Sequence, residues 1–548
     1  MTNTLNGIST PTYLDYLRGR LGLNSTHLNE LNAALPEFLH IENDHLFCQD
    51  VDLAQLAHAW GTPLEVGFAP LVTRQVRQMH GYFAQAFVHS NYQGKFTYAY
   101  ATKAAQYEDL IRTALQAGAH YETSSPLDIM MARLHWKAGN LPLDRMVLAN
   151  GFKTEQYVQN IVQLRHEGFQ QIVPILESDQ EIDTFLRTGL DFEVGMRMQV
   201  DETILPDGDF SRVTSRFGIP FSQLDHVARR LASTPQLRPI MLHAMIGTQC
   251  EDLDAWVQAL LLCFRKYCDL RLEYPTMRAF NFGGGMPVPY SLDFKFDYQE
   301  FADKLVAGVI ELCARYEIPH PELIGEFGRY TAAAYGFDIY KVVVSKASHQ
   351  PDVNWNVING SLMSSLPDTW GLNQQFIILP LSGFDRPAKK TWLAGLTCDS
   401  DDVYKSDEAD HTVTLPDVDA GDELVFGVFM TGAYQDMLSG IGGVHHCLLP
   451  EPGELVIEAA PAGGYQYTRH APGQSLNNMA ALLGYDKYLP LLNGGQLANS
   501  PRKLEVGKAA DLVLAGGRRD TGSEERGRLV GGNSPRSLWR RLTPLRVA

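Results

Sequence analysis

No stretch of this 548-residue chain is long and apolar enough to span a bilayer, and the polar start from Met1 to Pro11 lacks the apolar core of a secretory signal. A soluble, cytoplasmic protein is therefore the expectation. Cysteine is scarce: seven residues, scattered, with no C-x-x-C pair. That excludes a zinc ribbon and a disulfide scaffold and suggests a reducing compartment. Positive charge is in deficit, 46 Lys and Arg against 63 Asp and Glu, for a formal net charge of -17. Such a balance argues against nucleic acid or an anionic membrane as the main partner and mildly favours cationic substrates. There is no internal repeat. What is present, 45% hydrophobic and 20% charged residues, can bury sizeable cores in more than one domain.

Residues 1–60 form an N-terminal segment in which Thr12 to Trp60 reads as short helices with a strand-like piece near His45 to Val51, and Gly61-Thr62-Pro63 breaks the pattern. Over residues 61–330 short apolar runs alternate with amphipathic helical stretches. The runs are Leu64–Val66, Phe96–Ala101, Met146–Ala149, Gln171–Ile175, Glu193–Val200, Met241–Ile246, Ala279–Phe282 and Leu323–Glu326; the helices include Glu155–His166 and Leu253–Tyr267. Sustained strand–helix alternation with about eight strands predicts a parallel (β/α)8 barrel of the TIM type, ahead of a doubly wound sheet. Residues 331–500 carry alternating strands broken by Pro, Gly and Asp, which predicts an antiparallel β domain that the N-terminal segment partly joins. Residues 501–548 are rich in Arg and Gly and poor in apolar residues, and are expected to be disordered.

The chemistry-bearing residues fall at strand ends. Lys103 follows the Phe96–Ala101 run, ahead of a helix-like stretch from Ala104 to Ala117. Burial of an amine lowers its pKa and makes it a nucleophile of the Schiff-base kind; the bland alternative is a lysine reaching for solvent. Gly283-Gly284-Gly285 follows Ala279–Phe282 and is either a tight turn or a cradle whose N–H groups approach a phosphate. Glu326-Phe327-Gly328-Arg329 closes the next run. Its carboxylate is either part of a surface ion pair or the partner of a protonated ring nitrogen. Cys398-Asp399-Ser400-Asp401-Asp402 is open to three readings: a solvated turn, a metal site, or an anionic pocket for a cationic substrate end. A calcium loop is excluded by its ligand spacing. Gly432-Ala433-Tyr434-Gln435 offers a hydroxyl beside a loop glycine.

In this order the pieces resemble the fold-type III pyridoxal-phosphate decarboxylases, which join an alanine-racemase-like barrel to a β domain. The similarity runs from about Gly61 to Glu458. Within that superfamily the chain looks most like the biosynthetic arginine decarboxylases, through Ala149-Asn150-Gly151-Phe152-Lys153, the run from Met363 to Leu372 around Trp370, Leu379-Pro380-Leu381, Thr397-Cys398-Asp399-Ser400-Asp401 and Gly432-Ala433-Tyr434-Gln435. The resemblance implies pyridoxal 5'-phosphate as cofactor and no metal. It implies that Lys103 carries the cofactor covalently and that Glu326 pairs with the ring nitrogen. Gly283, Gly284, Gly285, Gly328, Arg329, Tyr434 and Thr248, where the family usually has serine, would surround the cofactor, chiefly its phosphate. Arg212 and Ser215-Arg216-Phe217-Gly218 match a loop near the cofactor in ornithine decarboxylases. Cys398 would return a proton to the substrate carbon after carbon dioxide leaves, and Asp399, with Asp401, would bind the substrate's distal cation. Both arrive from the neighbouring subunit in the family, which implies a homodimer with composite sites and leaves a higher oligomer open.

Three departures stand out. Met245 occupies the position of the family's ring-stacking histidine, with His243 two residues away on the same strand face. Ala105 replaces an asparagine two residues after the lysine. A long helical insertion ahead of the β domain is largely missing. The implied reaction is decarboxylation of arginine to agmatine, in polyamine-type metabolism. The alternatives are a decarboxylase of ornithine, lysine, citrulline or a modified basic amino acid, and a non-catalytic regulatory paralogue.

Overall fold

The computed structural model describes residues 11–200, 215–419 and 421–492. Arg212 and the tail from Pro501 lie outside the described residues. Two compact units divide the chain, Met1–Asp486 and Lys487–Ala548. The described part of the second consists of its first few residues, including the short helix Leu489–Leu492.

Eight parallel strands close into a barrel in the first unit: Phe96–Ala101, His120–Thr123, Val147–Ala149, Ile172–Leu176, Phe192–Met198, Leu237–Ala244, Ala279–Asn281 and Glu322–Glu326, the last pairing back onto the first. The sequence-based count of eight is met by a different set. His120–Thr123, too short and polar to stand out, is a barrel strand, whereas Leu64–Phe68 belongs to the other sheet. The inner barrel is filled by Ala99, Leu148, Val173, Ile175, Ile240, Met241, Ala279 and Ile324, the layered branched core that makes such a barrel solid rather than a pore. Helices such as Glu155–His166, capped by the Thr154 side chain, and Leu253–Glu273, capped by Asp252, bury their apolar faces outside it.

The unit also holds a nine-stranded sheet. It is mostly antiparallel, as expected, but Leu64–Phe68 runs parallel to Gly453–Ala459, and Asn354–Ile358 parallel to Ala388–Ala394. These parallel partners are far apart in sequence, so no hairpin pattern announces them. The N-terminal residues form a small three-stranded sheet, and Thr12 and His45 make isolated bridges to Pro387 and Ser382, which adjoin strands of the larger sheet. Among the described residues no helix is long and apolar enough to cross a membrane.

Candidate active site

At the C-terminal end of the barrel, where TIM-type folds assemble their sites, the Phe96–Ala101 strand gives way to a single turn, Thr102–Ala104, and the following helix begins only at Glu108. Thr102 fixes that turn: its hydroxyl is 2.6 Å from Asp128 Oδ2 and 2.9 Å from the carbonyl of Glu122. Ala105 is fully packed, and its carbonyl accepts from Tyr100. Lys103 is thereby aimed into the barrel mouth, where Nζ donates to Glu122 Oε2 at 2.8 Å.

The expected depression of the Lys103 pKa is not what the structure gives. Burial works against its charge, but Glu122 and then Glu326 outweigh it, and the net shift is upward. The side chain also remains 47% exposed. In this state Lys103 is an ammonium, and Glu122 is the group placed to take its proton. Burial pushes the Glu122 carboxyl up, against the pull of Lys103, which suits it to exchange a proton. The lysine whose pKa burial does lower is Lys153, after the Val147–Ala149 strand. Its amine is sealed in, bonded to the carbonyls of Gly151 and Ile175 and 3.7 Å from Glu181, so it is a structural clamp.

Glu326 is buried at the end of its strand. Oε1 accepts from Asn281 at 2.7 Å, Oε2 accepts from Asn150 at 2.9 Å, and His243 Nε2 lies 3.3 Å away without the alignment of a hydrogen bond. Burial opposes its charge, yet His243, Lys103 and Asn281 hold the carboxyl down at about 2. Gly328 lets this strand end lie against the lysine turn, since a Cβ there would meet the Ala101 carbonyl at 3.1 Å.

Gly283 and Gly285 adopt φ of +68° and +108°, conformations that favour glycine. A Cβ on Gly284 would press on the Glu326 carbonyl at 2.8 Å, and one on Gly285 on the Gly247 carbonyl at 3.0 Å. Met245 lies just past the Leu237–Ala244 strand, its sulfur 3.2 Å from the Gly284 nitrogen. His243 and Met245 both face Gly283, so both border the same space. Thr248 is exposed nearby in the loop leading to Cys250, whose N–H bonds the Gly285 carbonyl. Arg329 donates to Tyr290 at 2.7 Å and lies 4.8 Å over the ring of Tyr434. Tyr434, in the left-handed region at φ +72°, donates its N–H to the carbonyl of Ala104, beside Lys103. Ser215–Gly218 packs Phe217 on Phe152, with rings 5.6 Å apart.

This set fits pyridoxal phosphate. Both ring nitrogens of His243, Asn150 Oδ1 and Arg329 Nε are buried without hydrogen-bond partners, and such orphans are uncommon unless something else completes them. A charged carboxylate waits for a protonated ring nitrogen, and a glycine cradle and an arginine wait for an anion.

Cys398, Asp399 and Asp401 form a separate cluster. Cys398 is exposed, 3.4 Å from the sulfur of Cys447, which pushes its thiol pKa up. Asp399 Oδ1 accepts from the Asp401 N–H at 2.9 Å, and Oδ2 lies 3.7 Å from His446. The loop is pinned by buried Asp402, which accepts from Thr397 and from the Met363 N–H. Asp368, in the segment around Trp370, is tied to Gln435. Among the described residues no hydrogen bond joins the Cys398 loop to Lys103, Glu122, Glu326 or Arg329.

Residues 73–333 match the family model of the pyridoxal-binding domain of pyridoxal-dependent decarboxylases. Over those residues the chain carries the pyridoxal-binding domain of that family. It is an amino-acid carboxy-lyase, and its cofactor is pyridoxal 5'-phosphate. It is similar to the biosynthetic arginine decarboxylase of Tolumonas auensis, 21% identical over 73% of this chain and 81% of that one. It is 24% identical to the arginine decarboxylase of Avena sativa over 77% of this chain and 82% of that one. Among solved structures, the biosynthetic arginine decarboxylase of Campylobacter jejuni superposes with a TM-score of 0.72 at 20% identity, covering 85% of this chain and 94% of that one. Diaminopimelate decarboxylase from M. jannaschii gives 0.67 at 20% identity, covering 81% and 97%.

Sequence reasoning missed Glu122, Asn281, Asn150, Tyr290 and the pair His446 and Cys447 as parts of these two clusters. Only Asn281, directly ahead of Phe282 and the glycine triplet, carried a usable signal: an amide in an otherwise apolar strand.

Proposed function

We propose that this decarboxylase acts on a basic amino acid, arginine first, releasing agmatine and carbon dioxide in polyamine-type metabolism. The observation that carries the choice is the anionic Cys398–Asp402 loop. Asp399 is held in place by Thr397 and the Asp401 N–H and keeps 35% of its side chain exposed, ready for a guanidinium. A substrate ending in a distal carboxylate, such as diaminopimelate, would meet like charge there.

Bound pyridoxal phosphate supplies the electron sink for the pair left when the Cα–carboxylate bond breaks. The chain's residues do the rest. Lys103 holds the group through its amine, after yielding a proton to Glu122. Glu326, kept charged by His243 and the two asparagines, holds a proton on the ring nitrogen. Gly283, Gly284, Gly285, Gly328, Thr248, Arg329 and Tyr434 bind the phosphate end, and the family resemblance assigns Arg212 to the cofactor as well. Met245 packs against the ring by dispersion. Cys398 delivers its thiol proton to Cα, and Asp399 with Asp401 pairs with the distal cation.

Cys398 and Asp399 serve the site of a second copy in a homodimer. The separation of their cluster from the Lys103 cluster supports this, as do exposed apolar side chains around it: Leu396 and Leu448 flank the cysteine pair, and Trp370, Leu372 and Leu438 lie on the neighbouring helices. All seven cysteines are unpaired, which suits the cytoplasm. The test is amine release across arginine, ornithine, lysine, citrulline and diaminopimelate with purified, cofactor-loaded protein. A preference for a substrate with a distal carboxylate, or release from none, rejects the reading. Mixing Lys103→Ala with Cys398→Ala subunits should restore part of the activity, and no recovery despite proven exchange rejects the shared site.

A further inference from the structure

Cys398 and Cys447 are 49 positions apart, yet their sulfurs meet at 3.4 Å and the Cys398 N–H points at the Cys447 sulfur at 3.5 Å. The approach is built into the backbone. Cys447 and Leu448 both adopt left-handed φ, +56° and +54°, a conformation that costs a non-glycine residue roughly 1–2 kcal/mol. It brings His446 alongside: one donor atom from each of Cys398, His446 and Cys447 lies within 4.8 Å of the others, and all three residues are exposed. Asp399 Oδ2 lies 3.7 Å from His446 Nε2. The other five cysteines are buried elsewhere.

Two soft thiolates and an imidazole are the donor set of zinc-class ions. A tetrahedral ion with Zn–S bonds of about 2.3 Å sets its sulfur ligands about 3.7 Å apart. The observed 3.4 Å is close to that edge and far beyond the S–S bond length of about 2.05 Å in a disulfide. Three protein ligands at a solvent-facing position leave the fourth for water, the pattern of an open site.

We propose that Cys398, His446 and Cys447 bind a divalent zinc-class ion, and that the bound ion inhibits decarboxylation. Binding releases the two thiol protons to solvent and forms two metal–thiolate bonds, which takes from Cys398 the proton it is to deliver. The binding half stands on geometry alone; the inhibitory half rests on the role given to Cys398 above.

The test uses the full-length, cofactor-loaded protein kept reduced. Cobalt(II) should give a thiolate charge-transfer band at about one ion per chain, and zinc should displace it. Cys447→Ala and His446→Ala should each weaken zinc binding roughly 100-fold or more, read against a chromophoric chelator. Each should keep its own zinc-free rate of amine release when zinc is added. Absence of the cobalt band, or zinc affinity unchanged in both variants, overturns the site. A Cys398–Cys447 disulfide that forms under peroxide, in protein that takes up no zinc when reduced, overturns it in favour of a redox pair. Binding through these residues with turnover unaffected overturns the inhibition. A normal cobalt band in protein that releases no amine from any basic amino acid leaves the site standing and rejects the functional reading instead.

Discussion

Glu326 in the barrel mouth and Glu454 in the second sheet are both buried glutamates, yet one is held down at about 2 and the other pushed up to about 8. Burial raises both. The difference lies in the neighbours. Glu326 has His243, Lys103 and two asparagine amides. Glu454 has the carboxyls of Asp436, Asp109 and Glu451, and it stands directly beside Glu65, which stands beside Asp338 on the next strand, a row of three carboxyls across adjacent strands. Asp436, itself raised to about 6, adds a fourth. Hydroxyls of Tyr107, Thr431 and Tyr340 are the side-chain donors to this group, and among the described residues no Lys, Arg or His pairs with any of its four members. Like charges opposite one another on a sheet are unfavourable, so these acids keep their protons. Low dielectric alone does not decide whether a buried acid is charged; the partner set does. The chain spends its cations where an anion has chemistry to do.

Stability should follow pH in opposite senses in the two regions. Glu454 is raised in the fold, so its contribution is full below its ordinary value of 4.5 and is lost as pH rises through about 8. Glu326 is lowered, so its contribution is present above 4.5 and lost as pH falls through about 2.

The largest effect comes from removing the cation of the first region. Lys103→Ala should abolish amine release and covalent cofactor attachment, and borohydride reduction of the native protein should label Lys103 and not Lys153. Labelling of Lys153 would mean that the depressed amine, not the paired one, is the nucleophile. Next is Glu326→Gln, which keeps the shape and removes the charge. Amine release should fall roughly 100- to 1,000-fold, the usual loss when one electrostatic stabiliser of a reacting site is removed. A near-native rate would show that the charge held at Glu326 is not used.

Met245→Ala tests the apolar wall of the same region. Cofactor affinity should fall by about 1–2 kcal/mol, roughly ten-fold, by loss of packing, while Met245→His should be tolerated; an unchanged affinity in the alanine variant would remove Met245 from the cofactor's surroundings. The smallest effect belongs to the second region. Glu454→Gln should leave turnover alone and raise the thermal midpoint by a few degrees at pH 8, with little change at pH 5, where the native carboxyl already carries its proton. A destabilised variant at pH 8 would mean that Glu454 is charged and paired after all.

Much of the site was readable as sequence because its residues sit at strand ends, where a lysine, a glycine triplet or an E-x-G-R run interrupts an apolar pattern. Lys103, Gly283, Gly284, Gly285, Glu326 and Arg329 all come to one end of one barrel. The pKa of Lys103 was not readable: its direction depends on Glu122, which comes from the His120–Thr123 strand, whose polar residues hide a strand buried in the barrel. Leu64–Phe68 misled for the opposite reason, since an apolar run states that a strand is buried but not in which sheet.

The alternation of apolar runs and helices determined by itself that this chain builds a parallel barrel followed by a β domain, because period and burial are local properties of the pattern. The lysine, glycines and glutamate close or follow those runs, which sets them at strand ends, and the resemblance to a known family implied that they share one site. Only the tertiary structure decided which acids are charged, which lysine is sealed in and which cysteine Cys398 meets. Those outcomes rest on pairs such as Lys103 with Glu122, Glu65 with Glu454, and Cys398 with Cys447, and electrostatics and coordination depend on distance in space, which strand register and loop path set and the local sequence does not.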